Sequence, residues 1–215
     1  LTLPDPPLLL ITDRTQAQKP LADVVTAALA AGCRWVSIRE KDLPAADQIA
    51  LAQQLLPIAR QFGACLTLHG DRNIARVCGL DGVHLPANAY AARARADIGV
   101  GKLVGSSIHT LNEAQALDPS VVDYAIAGPA YTSASKPGYG PTVGGTGLRA
   151  LATAASIPVI AVGGIEPRFV ADVIASGAAG IVAVMGGLMR ARDPRAQVAA
   201  RLRALADAKI QPRGQ

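Results

Sequence analysis

Aromatic side chains are scarce in this sequence: they make up 3% of 215 residues, with one Trp and two Phe. A surface that stacks nucleobases interleaves aromatics with its cations, so the scarcity argues against a nucleic-acid partner. Long apolar runs are missing too, and none approaches the roughly 18 residues of a membrane span. The opening LTLPDPP lacks the basic-then-apolar layout of a secretion signal. The expected setting is therefore the cytoplasm, with no membrane partner. Cysteine is sparse: Cys33, Cys65 and Cys78 are odd in number and form no CxxC pair, as befits free thiols in a reducing compartment. Charge is modest as well, a net +5. Much of the excess crowds the last helical stretch as Arg190, Arg192, Arg195, Arg201 and Arg203, where a solvated helix face is expected.

What is abundant is aliphatic. Half the residues are hydrophobic, mostly Ala, Val, Leu and Ile, which suits Ala-rich helices on β-branched strands. Short apolar runs recur at even spacing: LLLIT (8–12), WVSIR (35–39), CLTL (65–68), GVHL (82–85), LVGSS (103–107), DYAIAG (123–128), PVIAVGG (158–164) and GIVAVMGG (180–187). Continuous hydrophobicity of this kind belongs to parallel strands covered on both faces. Helical patterns separate them, among them one with an internal Pro57 and one that closes on Gly177. Strands alternating with helices in this number predict a single (β/α)8 barrel over 1–215. A doubly wound open sheet is the alternative, though it more usually has fewer strands. One stretch breaks the rhythm: residues 129–147, rich in Pro, Gly, Ser and Thr, read as a long loop poised as a lid or binding loop.

In such a barrel the chemistry lies where strands end. The spacing puts Thr12, Asp13 and Arg14 after the first strand and Arg39, Glu40 and Lys41 after the second. All three histidines fall at or near three adjacent rims: His69 after the third strand, His84 in the fourth, and His109 just past Ser107 at the end of the fifth. Three imidazoles suggest zinc, yet no Asp or Glu completes a ligand spacing, so no metal is expected. His109, in VGSSIHTLNEA, is either a helix-capping or packing residue or a proton carrier. The paired glycines Gly163-Gly164 and Gly186-Gly187 close the last two strands, where barrels commonly hold a phosphate on backbone amides. Arg39 and Lys41 add a cationic pair to the same mouth, which fits an anionic substrate.

Taken in order, these stretches resemble the thiamine phosphate synthase and thiazole tautomerase (TenI-like) superfamily. LLLITDR resembles its first strand, VSIREKD its Arg-Glu-Lys strand and DGVHLP its fourth. VGSSIHTLNEA is similar to its Gly-x-Ser-x-His stretch, DYAIAGPAYTSASKPGYGP to its Gly-Pro loop, and IPVIAVGGIEP to its phosphate turn. The resemblance implies that Gly163, Gly164, Gly186 and Gly187 hold a thiazole phosphate. In a synthase it implies that Arg39, Lys41, Ser107, Ser133 and Lys136 meet a pyrimidine pyrophosphate; His69 joins the expected substrate-binding set.

Against the synthase pattern the chain departs in three places. His69-Gly70 stands for Asn-Asp, Pro86-Ala87-Asn88-Ala89 for Gly-Gln-x-Asp, and Ser37 for a Gln. Both aspartates that would ligate magnesium are thus Gly70 and Ala89. Gly70, Leu85-Pro86 and His109 match the tautomerase instead. The expectation is a metal-free tautomerase that aromatises a carboxythiazole phosphate, with His109 as general acid and base. The alternatives are a magnesium-dependent thiamine-phosphate synthase and a non-catalytic binder of thiazole or thiamine phosphate. The expected partner is a small thiazole phosphate, and homo-oligomerisation is left open.

Overall fold

The eight aliphatic runs form eight short strands: β1 (Leu8–Ile11), β2 (Trp35–Ile38), β3 (Cys65–His69), β4 (Gly82–Leu85), β5 (Leu103–Ile108), β6 (Tyr124–Ala127), β7 (Val159–Ala161) and β8 (Gly180–Ala183). Each pairs in parallel with the next, and β8 returns to β1, closing the barrel. The computed structural model describes residues 2–132, 141–183 and 185–210. Helices follow the strands: α1 (Leu21–Ala30), α2 (Ala45–Gln61), α3 (Arg72–Val77), α4 (Ala91–Ile98), α5 (Leu111–Gln115), α6 (Gly144–Ala154), α7 (Val170–Ala175), α8 (Met185–Met189) and α9 (Pro194–Ile210). The (β/α)8 architecture is the one the sequence predicts. No helix among the described residues is long and apolar enough to cross a membrane.

Alternation along the strands divides the apolar residues into two cores. Leu8, Leu10, Val36, Ile38, Leu66 and Leu68 face the helices. Leu9, Ile11, Trp35, Tyr124, Ile126 and Ile160 pack inside the barrel. Both faces are thus dry, which is why the strands read as unbroken hydrophobic runs. α2 runs on through Pro57. α9 buries Val198, Arg201 and Leu205 as one stripe against the rest of the molecule. Arg190, Arg192, Arg195 and Arg203 are exposed as expected, but Arg201 is buried at 5% exposure. It occupies a core position in the helical repeat.

Three boundaries differ from the sequence reading. β7 stops at Ala161 because Gly163 and Gly164 take φ of 98° and 63°, a left-handed turn no strand continues through. β8 stops at Ala183, and Gly186 and Gly187, expected as the end of a strand, lie in α8. The expected loop 129–147 is shorter than its composition suggests, since Gly144 to Gly147 form the first turn of α6. Residues 133–140 lie outside the described residues, and with them the lid expectation.

Candidate active site

The β1 and β2 rims are braced against each other by charge. Glu40, 2% exposed, accepts from the Arg14 amide at 3.0 and 3.1 Å and from its guanidinium at 3.1 Å. Arg14 also forks onto Asp42 at 2.9 and 2.7 Å, and this pairing raises the Arg14 guanidinium further above its ordinary value. Thr12 Oγ1 accepts from the Arg39 amide at 2.9 Å. Glu40 therefore spends its carboxylate on fixing the loop that carries Arg39, which is half-buried, and Lys41, which is exposed. The two cations stay at the mouth on a rigid support.

Below them the interior turns polar. Ser37 Oγ and His69 Nδ1 lie 2.8 Å apart, and His84 Nε2 and Ser107 Oγ 3.0 Å apart. The two imidazoles stack with ring centroids 4.2 Å apart and a 40° tilt. Burial holds both neutral. It pushes His69 well below its ordinary value, with the His84 ring, Arg39 and Lys41 adding to the effect, and it pushes His84 down to about 3, helped by Lys41. Ser37 and His69 are two of the positions where the sequence departs from the synthase pattern, and they are each other's hydrogen-bond partner. The short Ser37 leaves room for the imidazole and satisfies one of its nitrogens. Reading positions singly does not reveal this pairing, because it depends on the register that sets β2 beside β3.

His109 sits on the exposed β5 rim. Its amide donates to Glu113 Oε2 at 2.6 Å, and its Nδ1 lies 3.3 Å from the Gly128 carbonyl. Thr110 and Glu113 form a reciprocal capping box at the start of α5. The local pattern in VGSSIHTLNEA is explained by this cap. The His109 ring reaches across to β6, and its backbone belongs to the helix start.

On the far side, the β6–α6 loop is sewn to the turn after β7. The Ala130 amide donates to Val162 O at 2.7 Å and the Tyr131 amide to Gly163 O at 3.0 Å. Tyr131 stacks on Phe169, centroids 4.3 Å apart, in the 3-10 turn Pro167–Phe169. Glycine is required for this approach: a Cβ on Gly164 would stand 2.4 Å from Thr132 O and 2.7 Å from Tyr131 O, and one on Gly163 would be 2.9 Å from Pro129 Cα. The Gly163 and Gly164 amides donate to no acceptor among the described residues. Nor do the first amides of α8, those of Gly186 and Gly187 included, have an acceptor within their own helix. The Gly163–Gly164 turn thus carries N–H groups with no acceptor among the described residues, and the first turn of α8 follows the adjacent strand, an arrangement that suits an anion. Ser133 and Lys136 lie outside the described residues.

A consequence for Gly164→Ala follows. The side chain must collide with two backbone carbonyls in a left-handed conformation, so we expect a loss of about 2 kcal/mol or more in unfolding free energy. The same change should loosen the 129–132 segment. Urea denaturation of Gly164→Ala with a wild-type midpoint would refute this account of the turn.

The donor set for a metal is thin. Gly70 and Ala89 bring no side-chain oxygen to the rims of β3 and β4. Asp71, next to Gly70, accepts from the Asn73 amide at 2.7 Å as the N-cap of α3. Among the described residues no three His, Cys, Asp or Glu side chains are grouped to hold a metal ion. At the two positions where the synthase pattern has magnesium-ligating aspartates, this chain has Gly70 and Ala89.

Comparison with known proteins sets this geometry in its family. The model of the thiamine monophosphate synthase family (TMP-TENI) matches residues 8–188. The chain is 37% identical over 188 residues to the thiamine-phosphate synthase of Roseiflexus sp., covering 86% of this chain and 79% of that one. It is 34% identical to the thiamine-phosphate synthase of Moorella thermoacetica, covering 95% of each. The solved thiamine phosphate pyrophosphorylase from Pyrococcus furiosus superposes with a TM-score of 0.82 at 26% identity, covering 94% of this chain and 96% of that one. These likenesses overturn the expectation of a tautomerase, because the relatives carry the name of the transferase instead. The rationale for His109 as a proton carrier falls with it. By sequence and by fold, the chain belongs to the thiamine monophosphate synthase family.

Proposed function

We propose that this protein is a thiamine-phosphate synthase, joining a hydroxymethylpyrimidine pyrophosphate to a thiazole phosphate with release of pyrophosphate. The observation that carries the reading is the full-length likeness to proteins named for that activity, across the strands that supply the mouth of the barrel. In the reaction, the thiazole nitrogen lone pair forms a bond to the pyrimidine methylene as the carbon–oxygen bond to pyrophosphate breaks. The pyrophosphate leaves with that electron pair. No proton need move at the atoms that react, so the site needs anion stabilisation and orientation more than a general base.

The residues divide that work. Arg39 and Lys41 hold the pyrophosphate and offset the charge that grows on it, a role shared with Lys136 and Ser133 of the Gly-Pro loop. His69, kept neutral and backed by Ser37, forms the floor with His84 and Ser107 and presents uncharged hydrogen-bonding edges to the pyrimidine. Gly163, Gly164, Gly186 and Gly187 cradle the thiazole phosphate on their amides. Magnesium is the ion the family implies, but Gly70 and Ala89 do not fit its usual pair of carboxylates, so stabilisation of the leaving group is assigned to the cations.

The test is direct. Purified protein mixed with the two substrates should release thiamine phosphate and pyrophosphate in equal amounts, and Arg39→Gln should cut the rate by about 10²-fold or more. If wild-type protein at micromolar concentration forms no thiamine phosphate while still binding thiazole phosphate, the synthase reading fails and a binding role replaces it.

A further inference from the structure

We propose that Arg201 is a positioning residue of the phosphate cradle, its buried guanidinium supplying positive charge beneath Gly187 that a bound phosphate offsets. The inference rests on the cradle assignment made under Proposed function. Arg201 Nη2 lies 3.3 Å from the point where a Gly187 Cβ would stand. Its Nη1 donates only to neutral acceptors, the Gln197 carbonyl and side-chain oxygen, both at 3.0 Å. Its Nε is buried without a partner. Among the described residues no carboxylate forms an ion pair with it.

Such a placement is costly without compensation. A buried cation whose partners are all neutral is disfavoured, and an apolar side chain of like volume serves packing better. The neighbours on the same stripe, Val198 and Leu205, are apolar in this way. Burial pushes the Arg201 guanidinium below its ordinary value, and Glu166 only partly reverses the effect. Glu166 itself is exposed and paired with Arg168 at 3.1 Å. Gly187 lies in the first turn of α8, so the guanidinium sits directly behind that turn. α8 has five residues, too few to build much helix dipole of its own. A fixed charge behind its first turn supplies what the short helix lacks. The missing counter-charge is then an anion at the turn, and in this protein that anion is a phosphate ester.

The experiment reads phosphate binding directly, apart from turnover. Inorganic phosphate is titrated by calorimetry into wild type, Arg201→Met, Arg201→Lys and Arg201→Gln, with the melting temperature of each followed with and without phosphate. Arg201→Met should bind phosphate about tenfold more weakly, lose most of its phosphate-induced rise in melting temperature, and melt no lower than wild type when unliganded. Arg201→Lys should keep most of the affinity. In turnover, the KM for thiazole phosphate should rise in Arg201→Met while kcat and the KM for the pyrimidine substrate hold. Equal phosphate affinity in wild type and Arg201→Met overturns the proposal, as does a wild-type protein that binds no phosphate. If Arg201→Met does not fold, Arg201→Gln against Arg201→Lys decides in the same way, and equal affinities in those two overturn it. Phosphate binding that depends on Arg201 in a protein forming no thiamine phosphate would refute the synthase reading alone.

Discussion

Gly105→Ala is expected to cost at least about 3 kcal/mol, the upper end of what one added methyl group does in a packed core. His69, His84, Gly105 and Tyr124 lie in one register across β3 to β6. The glycine is the gap in that row. Over it the His84 and Tyr124 rings come to 5.5 Å between centroids. A Cβ there would stand 2.1 Å from Tyr124 Cζ, 2.5 Å from its hydroxyl oxygen and 2.6 Å from His84 Nδ1. Neither ring can retreat easily. Trp35 meets Tyr124 edge-on at 4.7 Å, and His69 stacks against the other side of His84. Urea denaturation measures the loss. The His84–Ser107 hydrogen bond should be disturbed as well, so activity should fall even where the variant folds. A variant with wild-type midpoint and activity would mean that the barrel interior is looser than these distances imply.

The barrel was legible in the sequence because its strands are dry on both faces and read as unbroken aliphatic runs. Eight aliphatic runs needed only to be counted, and their starting residues agree with the observed strands within one position. The ends were less legible. At β7 and β8 the hydrophobic run continues past the last paired residue into glycines whose backbone has already turned, and hydropathy does not register a dihedral angle. The site was legible as a list of rims, since strand ends fix which residues meet. It was not legible as a network. That Ser37 completes His69, that Glu40 is consumed by Arg14, and that Gly163 and Gly164 admit the Tyr131 loop all depend on neighbours distant in sequence. Arg201 was misread for a related reason. Among arginines on a basic helix, charge suggested solvent, whereas its spacing of three from Val198 and four from Leu205 placed it on the buried stripe. The helical period was the better signal there.

Function was read too finely from single positions. Gly70, Pro86 and His109 matched the tautomerase, yet Gly70 and His109 each have a local reason to be there. Gly70 takes φ of 135°, a conformation that favours glycine. His109 precedes a capping box and its amide is bound by the capping carboxylate. Residues that satisfy backbone geometry carry less information about chemistry than those with no structural duty. In the function proposed above, Arg39, Lys41 and Arg201 are the residues assigned to phosphate groups.

The two buried histidines should make the fold sensitive to mild acid. In the unfolded chain each titrates near the ordinary value of 6.5, whereas in the folded protein His84 is held near 3 and His69 well below 6.5. Below pH 6.5 the unfolded state therefore binds more protons than the folded one. Stability from keeping the pair neutral is complete above pH 6.5 and is lost as pH falls toward the folded values. Well below pH 6.5 His84 contributes a slope of about 1.4 kcal/mol per pH unit and removes about 2 kcal/mol by pH 5, and His69 adds to the loss in the same direction. Even the His84 part is noticeable against the roughly 5–15 kcal/mol that typically holds a domain folded. Most carboxylates are still ionised at pH 5, so the histidines dominate this window. The sensitivity has a functional reason: a protonated His69 would put a third cation, unhydrated, beneath Arg39 and Lys41 and would change which edge it offers a substrate ring. Urea midpoints measured from pH 7 to 5 should fall steadily, and His69→Gln should make the slope shallower. A midpoint that stays level across that range in the wild-type protein would show that the pair is not kept neutral, and the uncharged floor assigned to the site would fall with it.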